Sequence, residues 1–401
     1  MPTLNPKILT WARETAGLSL DQAAAAADIN ASRGRSGAER LAALEAGEEE
    51  PSRSLIVRMS KAYRRSLLVF YLDHPPAKGD RGQDFRTLPG SEQPLYDPIL
   101  DALIRDIRGK QGIIKSLRED AETPPVPFIG SLSMNLGTES AARRIVQEIG
   151  FSLQEFRGQA SVDDAFAYLR SKIEESGIFV LLLGNLGSYH TDIPVDVFRG
   201  YAIADKIAPV IVINDHDARS AWSFTALHEV THLWLGTSGI SGSTAVLKIE
   251  RYCNDVAGEI LLPLEEDHEV IRLRSNSMEQ LIDNISAFAT KRKVSRKMVA
   301  FRLFQLGSIN QATWGKLSEH FLRAWLASKE RDALKKEERS GGGPNYYVVR
   351  RHRLGKALLG LVSRSLGEGL LTPTKAGLLL GVKPRNVDPL VFGEASGRGG
   401  R

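Results

Sequence analysis

The segment His228-Glu229-Val230-Thr231-His232 carries residue types at a spacing that could do chemistry. Two histidines four residues apart stack on one face of a helix, about one turn from each other, and can bind the same metal ion. Glu229 points off the direct ligand axis, where a carboxylate can take a proton from metal-bound water without occupying the coordination sphere. Zinc supplies the other half of such a mechanism: it lowers the pKa of its water to roughly 7 and polarises a substrate carbonyl. Mn2+ is a second ion compatible with these ligands. In a chain with eight histidines this HExxH pattern arises by chance on the order of 1% of the time.

A catalytic zinc usually takes three protein ligands and keeps one open position. The helical segment 249–263 offers Glu250, Asp255 and Glu259, and periodicity alone does not choose among them. FTALHEVTHLWLG at 224–236, followed by IERYCNDVAGEILLP at 249–263, resembles the ImmA/IrrE metallopeptidase family. The resemblance implies that Glu250 is the third ligand, ahead of Asp255 and Glu259. It also implies hydrolysis of a peptide bond in a protein substrate, a transcriptional repressor or antitoxin, so that cleavage relieves repression. Asn254, four residues beyond Glu250 on the same helical face, could accept the free ring N–H of a metal-binding histidine. Cys253 reads as a small buried residue. Tyr252, about 200° round the helix from Glu250, is not an oxyanion donor. Tyr189, His190, His216 and Arg219 remain open as transition-state contacts.

These groups need a scaffold. Phe224, Leu227 and Leu235 give the helix over 220–235 a buried face, and Gly236 can end it. Upstream, helices over 141–149 and 162–175 lead into bulky or β-branched runs at 178–183, 201–204 and 210–213. These are strands of a small mixed or antiparallel sheet. The segment FRGYAIADKIAPVIVIN at 198–214 also resembles the family, and either 201–204 or 210–213 could be an edge strand that pairs with an extended substrate.

The fold class is α+β and mainly helical. Residues 1–75 read as a five-helix unit that resembles the Xre-type helix-turn-helix, carried by ILTWARETAGLSLDQAAAAADI and LEAGEEEPSRSLIVRMSKAYRRSL. Its Arg33, Arg35 and Arg40 are candidate DNA contacts, although residues 1–75 hold 10 basic against 9 acidic residues. Residues 76–136 are a linker with one helix, and 137–270 form a zincin-like peptidase core. Residues 271–335 form a helical, helix-turn-helix-like extension with Ser295 as a cap. Lys291, Arg292, Lys293, Arg296, Lys297 and Arg302 lie there without an intervening acid, a better match to phosphate than the amino-terminal unit. Residues 336–401 form a basic helical module with a disordered tail.

The chain has 401 residues, too many for one small domain. Its net charge of +5 is unevenly placed: residues 331–401 hold 14 Lys and Arg against 6 Asp and Glu, or +8, leaving −3 for residues 1–330. Basic termini of this kind suit nucleic acid or an acidic partner. The apolar runs fall short of the roughly 18 residues a membrane span needs. The single cysteine fits a reducing compartment, so a cytoplasmic setting is expected. The competing functional class is a DNA-binding regulator with a structural or vestigial metal site. The general base Glu229 weighs against it, since a structural site needs none.

Overall fold

The structure is a computed structural model that describes residues 4–32, 34–76, 93–237, 243–338 and 345–393. Short polar residues set the first helices. Asn5, Ser19, Ser36 and Ser52 accept backbone N–H bonds at the starts of α1 (Pro6–Glu14), α2 (Leu20–Ala26), α3 (Gly37–Ala46) and α4 (Arg53–Ala62). The helices bury Leu9, Leu41, Ile56, Met59 and Tyr63 in a core of their own, and Arg13 ties α1 to α3 through two bonds to Glu45 at 2.8 and 2.9 Å. The helix expected over 54–72 stops early. Arg64 takes a left-handed φ of 50°, and the chain resumes only as a 3-10 turn, Leu67–Tyr71. The unit is therefore four α-helices and a 3-10 turn, not five helices. Arg33, the glycines expected in the linker over 79–90, the Gly-rich stretch 340–344 and the tail 394–401 lie outside the described residues.

A three-stranded mixed sheet organises the remainder, in the order β1 (Phe179–Leu182), β3 (Val210–Ile213), β2 (Gly200–Ile203). β1 runs parallel to β3 and β2 antiparallel to it, with Gly200 opposite Ile213 and Ile203 opposite Val210. Alternation sends Val180, Leu182, Ile211 and Ile213 to one face, and Phe179, Leu181, Val210, Val212 and Tyr201 to the other. Both faces are apolar, so both need cover.

Before the sheet come α5 (Gln93–Asp120), α6 (Thr138–Ile149), α7 (Leu153–Gly158) and α8 (Val162–Glu175). After it come α9 (Arg219–Leu235), α10 (Ser243–Leu261), α11 (Asp267–Ile271), α12 (Met278–Arg292), α13 (Arg296–Gln305) and α14 (Gln311–Glu338). The last four are α15 (Tyr346–Leu354), α16 (Lys356–Gly367), α17 (Pro373–Leu380) and α18 (Val387–Val391). The helix expected over 354–366 is α16, which starts two residues later because Gly355, with φ 81°, separates it from α15. The first sheet face packs against α6 to α14 in one core. The second is covered jointly by α5 and α15 to α18. The helices of the linker expected at 76–136, the extension expected at 271–335 and the module expected at 336–401 thus share cores with the sheet, because a sheet apolar on both faces requires them. Among the described residues no helix is long and apolar enough to cross a membrane.

The arginines of the carboxyl-terminal helices serve the fold. Arg350 donates to the Leu380 and Gly381 carbonyls at the end of α17, and Arg351 donates to Pro389 and Leu390 at the end of α18. Each satisfies carbonyls that a helix end leaves without partners. Buried Arg170 of α8 does the same for His352 and Arg353 at the end of α15. Its partner Glu174 accepts from the backbone N–H groups of Lys356 and Ala357 at the start of α16.

His352 sits where α15 meets α9, its ring 6.1 Å from that of Trp222. Burial, reinforced by Arg170 and Arg219, holds its imidazole below the ordinary histidine value. A depressed folded pKa gives stability that is present above the unfolded value of about 6.5 and is lost as pH falls through the folded value. Melting measured from pH 7.5 down to pH 5 should therefore show a fall in midpoint that is smaller in His352→Phe than in the wild type.

Candidate metal centre

Helix α9 is buried on all sides, with Trp222, Ala226, Leu227, Val230, Leu233 and Trp234 in the core. A helix this apolar belongs inside a domain. Its end is held by the turn before α6: Gly130 and Leu132 donate their N–H groups to the carbonyls of Leu233 and Trp234, at 3.1 and 2.9 Å. Phe128 stacks on Trp234 at 3.9 Å. The contact needs two glycines. Gly236 caps α9 with φ 66°, and a Cβ built on it would lie 2.8 Å from Cα of Gly130, itself at φ 73°.

α10 packs along α9 and buries Ile249, Cys253, Val256, Ala257 and Ile260. Glu250 borders that face and reaches the two histidines. Nε2 of His228 and Nε2 of His232 are 3.0 Å apart, and the Glu250 carboxylate lies 3.4 Å from the first and 3.1 Å from the second. A tetrahedral ion with bonds of about 2.0–2.1 Å spaces its donor atoms about 3.3 Å apart. The three separations match that spacing, so the donor set fits one small cation. Among the described residues it is the one His/Cys/Asp/Glu group able to hold an ion in this way. The side chains are deeply placed, with His228 0%, His232 1%, Glu229 3% and Glu250 8% exposed.

The other carboxylates of α10 are committed elsewhere. Glu259 accepts from the Leu264 N–H at 3.2 Å and faces Arg302. Burial raises the pKa of both Glu259 and Asp255. Glu229 follows His228 on α9, and its carboxylate abuts the start of β2 at Gly200.

Around His232 the structure departs from the sequence reading. Nδ1 lies 3.2 Å from Thr237 Oγ1 and 3.7 Å from Cys253 Sγ, so Thr237 and Cys253 occupy the place expected for Asn254. The reason is angular: Asn254 is about 100° round α10 from inward-facing Cys253 and is half-buried. With Nδ1–H donated to Thr237, the Nε2 lone pair faces the other two donors. Thr237 carries no motif signal; its place one residue after the Gly236 cap is its only mark. Tyr252 donates its hydroxyl to the Leu136 carbonyl at 2.8 Å, in keeping with its exclusion as an oxyanion donor. Arg219 is drawn to Asp163 and Trp222, and His216 to Asp192 and Asp215. Tyr189 lies against His190, the rings tilted by 39°, in an exposed turn. None of these contacts leads to the histidine pair.

The basic residues expected to face DNA are largely engaged within the fold. Arg35 pairs with Glu49 at 3.4 Å, and Arg40 donates to the Asn30 carbonyl. Arg292 pairs with Glu266 and Glu269, and Arg302 with Asp267. Lys293 donates to the Ala160 carbonyl, and Arg296 lies over the Phe321 ring. Lys291 and Lys297 are exposed. Arg292 and Arg302 therefore fasten α12 and α13 to the segment around α11, within the run that sequence alone read as a phosphate-facing patch.

Residues 181–304 match a peptidase family model described as the IrrE N-terminal-like domain. The match runs from β1 through α13 and includes all three donors and Glu229. No curated protein and no solved structure matches the chain.

If Thr237 orients His232, Thr237→Val should weaken metal affinity by about 10- to 100-fold while Thr237→Ser stays near wild type. Competition against a chromophoric chelator measures this, with circular dichroism to check that the fold is kept.

Proposed function

We propose that this chain, whose residues 181–304 match the IrrE N-terminal-like peptidase family model, is a zinc-dependent endopeptidase. The observation that carries the reading is the convergence of three buried donors within 3.4 Å, with a carboxylate that is not one of them beside the first. His228, His232 and Glu250 would hold the ion; when bound, zinc supplies Lewis acidity toward the scissile carbonyl and acidifies water. Glu229 takes a proton from the attacking water and delivers it to the leaving amine. Its near-complete burial keeps bulk water from competing for that proton.

β2 is the edge strand next to α9, and β3 is central. This supports β2, rather than β3, as the strand along which an extended substrate segment lies, with main-chain bonds giving affinity and side-chain pockets giving choice. The substrate assigned here is a repressor or antitoxin-like protein in the cytoplasm, with the amino-terminal helical unit contributing DNA or substrate recognition. That assignment follows from the family resemblance and from the separate core of α1 to α4.

Wild type, Glu229→Gln and His232→Ala should be compared for zinc content and for cleavage of repressors encoded nearby. Glu229→Gln should retain zinc and lose cleavage by at least 100-fold, whereas His232→Ala should lose both. Equal cleavage by all three would reject the assignment.

A further inference from the structure

Gly200 opens β2, opposite Ile213, and is buried. Glycine at a buried strand residue leaves no side chain to pack and often marks a close approach. Backbone conformation is not the reason, because Gly200 is absent from the glycines with positive φ. Space is. A Cβ at this position would stand 2.4 Å from Oε1 and 2.9 Å from Cδ of Glu229, and 2.8 Å from Cγ2 of Thr225. Thr225 is four residues before Glu229 on the same face of α9, 1% exposed and β-branched, so its methyl has little freedom to withdraw.

We propose that Gly200 and Thr225 form the slot that positions the Glu229 carboxylate, and that Gly200 is a positioning residue for the reaction because it has no side chain. The inference rests on the reading of Glu229 as proton carrier. Filling the slot with a methyl group displaces the carboxylate on the order of 1 Å from its working place, and a displacement of that size costs roughly 100-fold in rate. The metal donors lie on other residues, so metal content is unaffected.

The test is a double-mutant cycle in the zinc-loaded full chain, with turnover and thermal melting both measured. Gly200→Ala alone should lower kcat by roughly 100-fold with KM and zinc content near wild type, and should lower the melting midpoint. In a Glu229→Asp background, where the carboxylate is drawn back by one methylene, the same substitution should cost less than about threefold in kcat and shift melting less. Should Gly200→Ala fail to fold, Gly200→Ala with Thr225→Ser removes the methyl at 2.8 Å and carries the same comparison. Equal costs in both backgrounds, in rate and in melting, would overturn the inference and leave Gly200 a matter of strand packing alone. Melting does not depend on turnover. Absence of cleavage by the wild type would therefore refute the endopeptidase reading, while coupling in melting would still report the slot.

Discussion

Everything in the sheet-bearing part of the molecule serves one constraint: two imidazoles and a carboxylate from two helices must converge within 3.4 Å inside an apolar core. Polar groups gathered there lose their hydration, and the loss is tolerable only where they share a counter-charge and are held in register. The register is set by packing. α9 is buried around its circumference, α10 presents one apolar face to it, and the Phe128–Trp234 stack with the Gly130–Gly236 approach fixes where α9 ends. Shifting either helix by a fraction of a turn would separate the donors.

The sheet extends that constraint to the rest of the chain. Its front face supports α9, and its edge strand β2 passes the Glu229 carboxylate at Gly200. Its back face is equally apolar, which gives α5 and the four last helices their place. Arg170 and Glu174 join the two sides, one serving the end of α15 and the other the start of α16. Within the carboxyl-terminal segment, Arg350 and Arg351 cap the ends of α17 and α18.

The parts of this arrangement that depend on local periodicity were readable in the sequence. The histidine pair, the Gly236 stop, the Ser295 cap and the three strands follow from spacing within a single element. Choosing Glu250 over Asp255 and Glu259 needed the family resemblance, since all three recur on one helix and only tertiary packing separates them. Thr237, Cys253 and Gly200 were not legible as site residues, because their neighbours come from elements 5 to 29 residues away. Two cations of the basic run 291–302 have partners the sequence did not reveal for a related reason: Glu266, Asp267 and Glu269, which pair with Arg292 and Arg302, precede the run in the chain and meet it only after folding. Formal charge in a sequence does not show which charges find one another.

The central claim is tested most directly by diffraction from zinc-loaded crystals at the zinc absorption edge. The account predicts one strong anomalous peak about 2.0–2.2 Å from Nε2 of His228, Nε2 of His232 and a carboxylate oxygen of Glu250. A peak held by Asp255 or Glu259, or none among the three donors, would contradict it.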